Sequence, residues 1–169
     1  MAQGQVNLKA FPTVPCKAVI AAPFGALTVH ANEAGVAMIE LAPDATEMVV
    51  ATTPLLEEAC RQFHAYFEDP RWSFSLPLLV QGTAYSRRVW RALVDIPTGT
   101  VKSYGQLARE LGSGARAVAG ACRGNEFPIV IPCHRVVAAN NLGGYCGELS
   151  GPFLGIKRWL LRHEGYEFA

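Results

Sequence analysis

Cysteine and histidine stand side by side in the segment Pro132-Cys133-His134-Arg135-Val136. A cysteine attacks as its thiolate, and an ordinary pKa of about 8.5 leaves little thiolate at neutral pH. It needs a base or a positive charge beside it. His134 can supply the first and Arg135 the second, which is Cys-His nucleophilic chemistry. The same residues allow an inert reading. Cys133 closes the apolar run Ile129-Val130-Ile131, and cysteine is among the most buried residue types. The flanking proline, histidine and arginine shift the balance toward reactivity. Cys16, Cys60, Cys122 and Cys146 are widely spread and form no CxxC pair, so a disulfide framework and a zinc knuckle both read poorly. Free thiols suit a reducing, cytoplasmic setting.

The elements that must position these residues change character along the chain. The runs Ala18-Val19-Ile20, Ala26-Leu27-Thr28-Val29 and Val36 to Leu41 are separated by Pro23, Gly25 and Gly35, and read as strands joined by turns. Thr53-Pro54 marks a helix start, and Leu55, Leu56, Ala59, Cys60, Phe63, Tyr66 and Phe67 recur at helical spacing up to Asp69-Pro70. Phe74 to Leu78 reads as a short strand returning to the sheet. Beyond Gln81-Gly82 helices dominate: Ser86 to Asp95, then Tyr104 to Leu111 capped by Ser103, then Ala115 to Arg123. The last two flank Gly112-Ser113-Gly114, the outline of a helix-turn-helix. A glycine-rich loop, Leu142 to Gly151, precedes a final helix from Leu154 to Glu164.

With 169 residues, half of them hydrophobic, and a mean hydropathy of +0.17, the chain can bury a core as one domain or two small ones. No uncharged apolar run reaches the roughly 18–20 residues of a membrane span. Met1 to Val6 lacks the basic-then-apolar pattern of a secretion signal. The net charge of +1 hides an asymmetry: residues 1–80 hold four Lys/Arg and eight Asp/Glu, and residues 81–169 hold eleven and six. The basic half hints at a polyanionic partner, although a chance split explains it about equally well.

Ile131-Pro132-Cys133-His134-Arg135-Val136 resembles the active-site motif of the O6-alkylguanine-DNA alkyltransferases, the methylated-DNA–protein-cysteine methyltransferases. Three further blocks resemble the family in order: Val101 to Ala108, Ala115 to Asn125, and Lys157 to Gly165. The resemblance is close over Tyr85 to Gly165, and residues 1–80 match in general shape. It implies an α+β protein. A ribonuclease-H-like α/β domain over residues 1–80 would precede a helical, helix-turn-helix domain over 81–169 that binds DNA and accepts the alkyl group. It implies a monomer acting on double-stranded DNA through the minor groove, with no membrane contact and no cofactor. O6-alkylguanine is flipped out and its alkyl group moves irreversibly to Cys133, once per molecule.

By the same resemblance, His134 takes the thiol proton through a water and Glu164 orients the imidazole. Tyr104 donates to a ring nitrogen of the leaving guanine. Arg116 enters the base stack in place of the flipped nucleotide. Ala115, Ala117, Ala119 and Gly120 give the helix a slim face for a groove roughly 6 Å wide. Asn125 braces the turn before the active site, and the carbonyls of Cys133 and Val136 read the guanine amino group. Tyr145 and Cys146 form a lid over the base. Each residue also has a plain reading: Tyr104 and Glu164 as surface positions, the small residues as a helix-packing face, Asn125 as a turn residue.

The lid departs from the family pattern at Cys146 and Glu148, and Ser150 to Gly155 is extra chain, expected to form a surface turn. Cys122 stands where some members carry methionine. Cys16, Cys60, His30 and His64 lack ligand spacing, so no metal is expected. The alternatives are a non-catalytic relative that binds alkylated DNA and recruits repair factors, an unrelated Cys-His hydrolase, and a plain helix-turn-helix regulator. Non-catalytic relatives lack the reactive cysteine, which is present here.

Overall fold

The computed structural model describes residues 16–167, so Met1 to Val6 lies outside the described residues. Strands β1 (Cys16–Ala22), β2 (Gly25–Asn32) and β3 (Gly35–Leu41) form an antiparallel sheet in that order. Gly25 has φ 126°, and a Cβ there would meet the Pro43 carbonyl oxygen at 2.6 Å, so the β1–β2 turn requires glycine. The Asn32 side chain accepts from the backbone N–H of Ala34 and Gly35 and turns the chain into β3.

Helix α1 (Pro54–Glu68) starts as the sequence predicts: Thr53 Oγ1 accepts from Leu56 N–H, and Pro54 occupies the first turn. Its apolar stripe buries Leu56, Phe63 and Tyr66, all three at most 1% exposed. The expected strand at Phe74 to Leu78 is only a single parallel bridge between Val36 and Leu78. Pro77 has no N–H to give a ladder, so only its carbonyl joins, accepting from Val36 N–H at 2.8 Å.

The later residues form α2 (Ala84–Val94), β4 (Lys102–Ser103), α3 (Tyr104–Leu111), α4 (Ala115–Arg123), β5 (Val136–Val137) and α5 (Pro152–His163). Helix α2 starts two residues before the expected Ser86, and Thr83 caps it, its hydroxyl accepting from Ser86 N–H. Ser103 and Gln106 make a reciprocal capping box on α3. Gly112 closes α3 in the left-handed conformation. Helix α2 braces the α3–α4 turn. Tyr85 Oη meets Ser113 Oγ at 2.7 Å, Arg88 donates to the Leu111 carbonyl, and Trp90 Nε1–H donates to the Ala121 carbonyl.

Helix α5 begins at Pro152, two residues before the expected start. The surface turn expected over Ser150 to Gly155 is therefore mostly helix: Pro152 fits the first helical position, and Gly151 with φ 91° makes the entry. Buried side chains from the sheet, α1, α2, α4 and α5 belong to one continuous core. Phe24 links the two segments edge-on, touching Phe67 of α1 and Trp159 of α5. Among the described residues no helix is long and apolar enough to cross a membrane.

Candidate active site

The approach to Cys133 is built from backbone hydrogen bonds and one side chain. Asn125 follows α4; its Oδ1 accepts from Phe127 N–H at 2.9 Å, and its Nδ2 donates to the Ile131 carbonyl at 2.8 Å. The bracing role and the turn reading of Asn125 are the same object. Between these anchors Ile129 holds φ 75°, an uncommon conformation for a β-branched residue, and its buried side chain fixes it there. Residues Cys133–Arg135 then form one 3-10 turn that leads into β5. Strand β5 pairs in parallel with β4, and β4 leads straight into Tyr104. This short pair brings the cysteine and the tyrosine to one place.

The neighbours of Cys133 divide the chemistry. Burial pushes its thiol up, while the Asn125 amide and the Lys157 ammonium pull it down. The first effect wins, so the sulfur rests as a thiol and must lose its proton to react. His134 is fully buried, and its Nε2 lies 2.8 Å from Glu164 Oε1. The Glu164 carboxyl resists burial: hydrogen bonds and charge from His134 and Arg135 hold it down to about 2. An ionised carboxylate only accepts, so Nε2 carries the proton and Nδ1 keeps its lone pair. Nδ1 is buried and has no hydrogen-bond partner among the described residues. Burial lowers the imidazole pKa, so His134 is neutral at neutral pH. A neutral imidazole with an open lone pair can accept a proton, the chemistry a general base needs.

Arg135 does not serve Cys133 as its sequence position suggests. Its Nε and Nη2 clamp the two oxygens of Glu164 at 2.9 Å each, and Nη1 donates to the Ile96 carbonyl. The cation whose charge favours the thiolate is Lys157, to which the sequence assigns no role. Lys157 is fully buried, and its Nζ donates to the carbonyls of Val136 and Gly144 at 2.7 and 2.9 Å. Burial brings its pKa down to about 8. A signal for it existed: Lys157 lies on the same α5 stripe as Leu160, Leu161 and Glu164, where a charge is out of place unless it is paired.

Of the residues expected at the site, Tyr104, Ala119, Cys133, Tyr145 and Cys146 line one pocket. Asn125 meets Cys133 in the adjoining cleft. Val136 is fully buried behind it, with its carbonyl already accepting from Lys157. The Cys133 carbonyl likewise accepts from Val136 N–H. Glu164 is buried, so the surface reading fails for it; Tyr104 is half-buried at the start of α3, beside its cap and on the pocket. Ala115, Arg116, Ala117 and Gly120 lie outside the pocket on the exposed face of α4. A Cβ on Gly120 would meet nothing within 4 Å, so packing inside the chain does not explain its small size. Val118 and Ala121 form the inward face instead.

The segment expected to act as a lid is a tight hairpin in which Tyr145 and Glu148 exchange both backbone hydrogen bonds, at 2.8 and 3.0 Å. The central residues Cys146 and Gly147 have φ 50° and 81°, as a type I′ turn needs. Glycine suits this geometry and cysteine does not. Cys146→Asn is expected to raise stability by about 0.5–1 kcal/mol, because asparagine tolerates the left-handed region. Urea denaturation of the two proteins checks it; a destabilised variant would show that the thiol contributes more than the backbone costs. Among the described residues no three of His, Cys, Asp and Glu lie close enough to hold a metal ion.

Comparison with known proteins matches both segments. Residues 16–80 match the 6-O-methylguanine DNA methyltransferase ribonuclease-like domain, and residues 84–166 match the DNA binding domain of the same family. A methylated-DNA–protein-cysteine methyltransferase of Methanosarcina acetivorans is 34% identical over 155 residues, covering 88% of this chain and 97% of its own. The constitutive enzyme of that name from Bacillus subtilis is 44% identical over 112 residues, covering 63% and 68%. Among solved structures, Mycobacterium tuberculosis OGT in complex with DNA aligns with a TM-score of 0.73 and 34% identity over 88% of this chain and 91% of its own.

Proposed function

This chain belongs to the 6-O-methylguanine DNA methyltransferase family, and on that premise we propose that it repairs DNA by moving the alkyl group of O6-alkylguanine to Cys133. The observation that carries this reading is the buried thiol at a pocket, next to a histidine whose only free ring nitrogen is its basic one. The thiol proton passes through a water to His134 Nδ1. The sulfur then attacks the alkyl carbon, the carbon–O6 bond breaks, and its electron pair stays on the guanine oxygen. Burial keeps the Tyr104 phenol protonated, so it can hydrogen-bond the ring nitrogen that gains a proton as the base leaves. Tyr104 passes its hydroxyl proton to the base, and the proton held by His134 returns through water to the phenolate, so charge and protons balance. No cofactor takes part, and the thioether is not reversed.

Helices α3 and α4 act as a helix-turn-helix whose slim exposed face enters the minor groove of double-stranded DNA. The domains divide near residue 80, and the protein works as a cytoplasmic monomer, once per molecule. The decisive experiment is intact mass after mixing with duplex DNA containing O6-methylguanine. A gain of one methyl group is expected; an unchanged mass favours a protein that only binds damage. A chain of that kind has no use for a thiol with an assembled base.

Arg116 fills the gap left by the flipped nucleotide. It is exposed on the first turn of α4, free to reach a groove. Extruding a base costs a few kcal/mol, and Arg116 offsets part of that. Arg116→Ala is therefore expected to slow repair of duplex DNA by about ten- to a hundredfold, and reaction with free O6-benzylguanine much less. Rates on the two substrates, measured side by side, check it. Equal slowing would move Arg116 from extrusion to the pocket or the fold.

A further inference from the structure

Glu164 makes one contact that the alkyl-transfer scheme does not use. Its Oε1 accepts from His134 Nε2–H, from Arg135 Nη2–H and also from the hydroxyl of Tyr66, at 2.8 Å. Tyr66 is 1% exposed and comes from α1, ninety-eight positions earlier in the chain. It is held from two sides. Its backbone carbonyl lies 2.7 Å from His163 Nε2, and its ring meets the His163 ring edge-on at 5.2 Å. His163 and Glu164 are consecutive, so one turn of α1 is fastened to the end of α5 through backbone and side chain together.

The geometry points to Tyr66 as a positioning residue for the histidine base, through which the N-terminal segment takes part in the reaction. The inference rests on the proposed reading of Cys133 and His134. A carboxylate clamped by arginine alone can still slide along the guanidinium edge. A third donor at Oε1, fixed to a different helix, removes that freedom and sets the direction from which Oε1 meets Nε2–H. That direction orients the ring, and with it the lone pair on Nδ1. The phenol also spreads the carboxylate charge, so Tyr66 limits how strongly Glu164 holds an imidazolium. Burial keeps the phenol protonated and therefore a donor. The other titratable groups around this pair are Arg135 from the 3-10 turn, Lys157 and His163 from α5, and Tyr145 from the pocket. None of them bonds Glu164 from the N-terminal segment.

The test is Tyr66→Phe in the full chain, which keeps the ring packing and removes one hydroxyl. Single-turnover transfer from O6-methylguanine duplex is measured across pH, with duplex affinity alongside. At neutral pH the rate is expected to fall by roughly three- to tenfold. The acid limb of the profile is expected to move up by about half a pH unit, because the less shared carboxylate favours imidazolium. Affinity should stay unchanged. A merely structural role would lower the rate equally at every pH. That result, or a profile superimposable on wild type, overturns the proposal. Nitrogen NMR of the His134 ring gives a second readout that needs no transfer. Its titration midpoint should rise in the variant, and an unchanged midpoint overturns the inference. If wild-type protein takes up no methyl group, the alkyl-transfer reading falls, and the ring titration still decides whether Tyr66 sets His134.

Discussion

Cys133→Ala is expected to take up no alkyl group from O6-methylguanine duplex while binding that duplex as wild type does. The sulfur is the atom that forms the new bond, and nothing nearby replaces it. Cys122 and Cys146 share the pocket, but burial pushes both thiols up to about 12. Neither has a base against it comparable to His134. The exposed face of α4 lies outside the pocket and is untouched by the substitution. Removing a buried sulfur leaves a small void, so stability should fall by no more than about 1 kcal/mol. Intact mass and duplex affinity, measured on the same sample, check both halves of the expectation. Alkylation of Cys133→Ala at a rate near wild type would place the nucleophile elsewhere and end the proposed mechanism.

The candidate residues are easier to read from the sequence than the geometry around them. Cys133, His134 and Tyr104 are legible because adjacency, a cap signal and a family resemblance all point at them. Local rules also foretold α1 and α3, where Thr53 and Ser103 cap as their side chains allow. Arg135 departs from its expected place because adjacency in sequence says nothing of direction. In the 3-10 turn its side chain runs away from Cys133 toward Glu164 and Ile96. Tyr66 read as a core aromatic on a helical stripe, which it is, but only tertiary structure brings its hydroxyl to Glu164. The strand expected at Phe74 to Leu78 failed for a reason printed in the chain, since Pro77 cannot donate. The start of α5 is ambiguous in the chain because glycine and proline at 151 and 152 also spell a turn; here they spell a helix entry.

Glu164→Gln is expected to cost both stability and rate, and the two losses have different signatures. The carboxylate accepts four hydrogen bonds from His134, Tyr66 and Arg135, all of them donors. An amide turns one of its oxygens into a donor. Placed at Oε2 it opposes Arg135 Nε–H; placed at Oε1 it opposes three donors at once. Either way the buried guanidinium loses its counter-charge, which typically costs about 3–5 kcal/mol. The pH dependence follows from the same group. Folding lowers the Glu164 pKa to about 2, against about 4.3 in an unfolded chain. A depressed carboxyl stabilises the folded state above its unfolded pKa, and that contribution is lost as pH falls. Wild type should therefore shed about 3 kcal/mol between roughly pH 5 and pH 2 on this account. Glu164→Gln should lack that component, so the two stability curves lie apart at neutral pH and converge in acid. Alkyl transfer should fall by at least about a hundredfold, because the imidazolium formed in the reaction loses its partner. Denaturant unfolding across pH and single-turnover rates at neutral pH measure both. A variant with near-native rate and a stability curve parallel to wild type would mean that the carboxylate charge neither supports His134 nor balances Arg135.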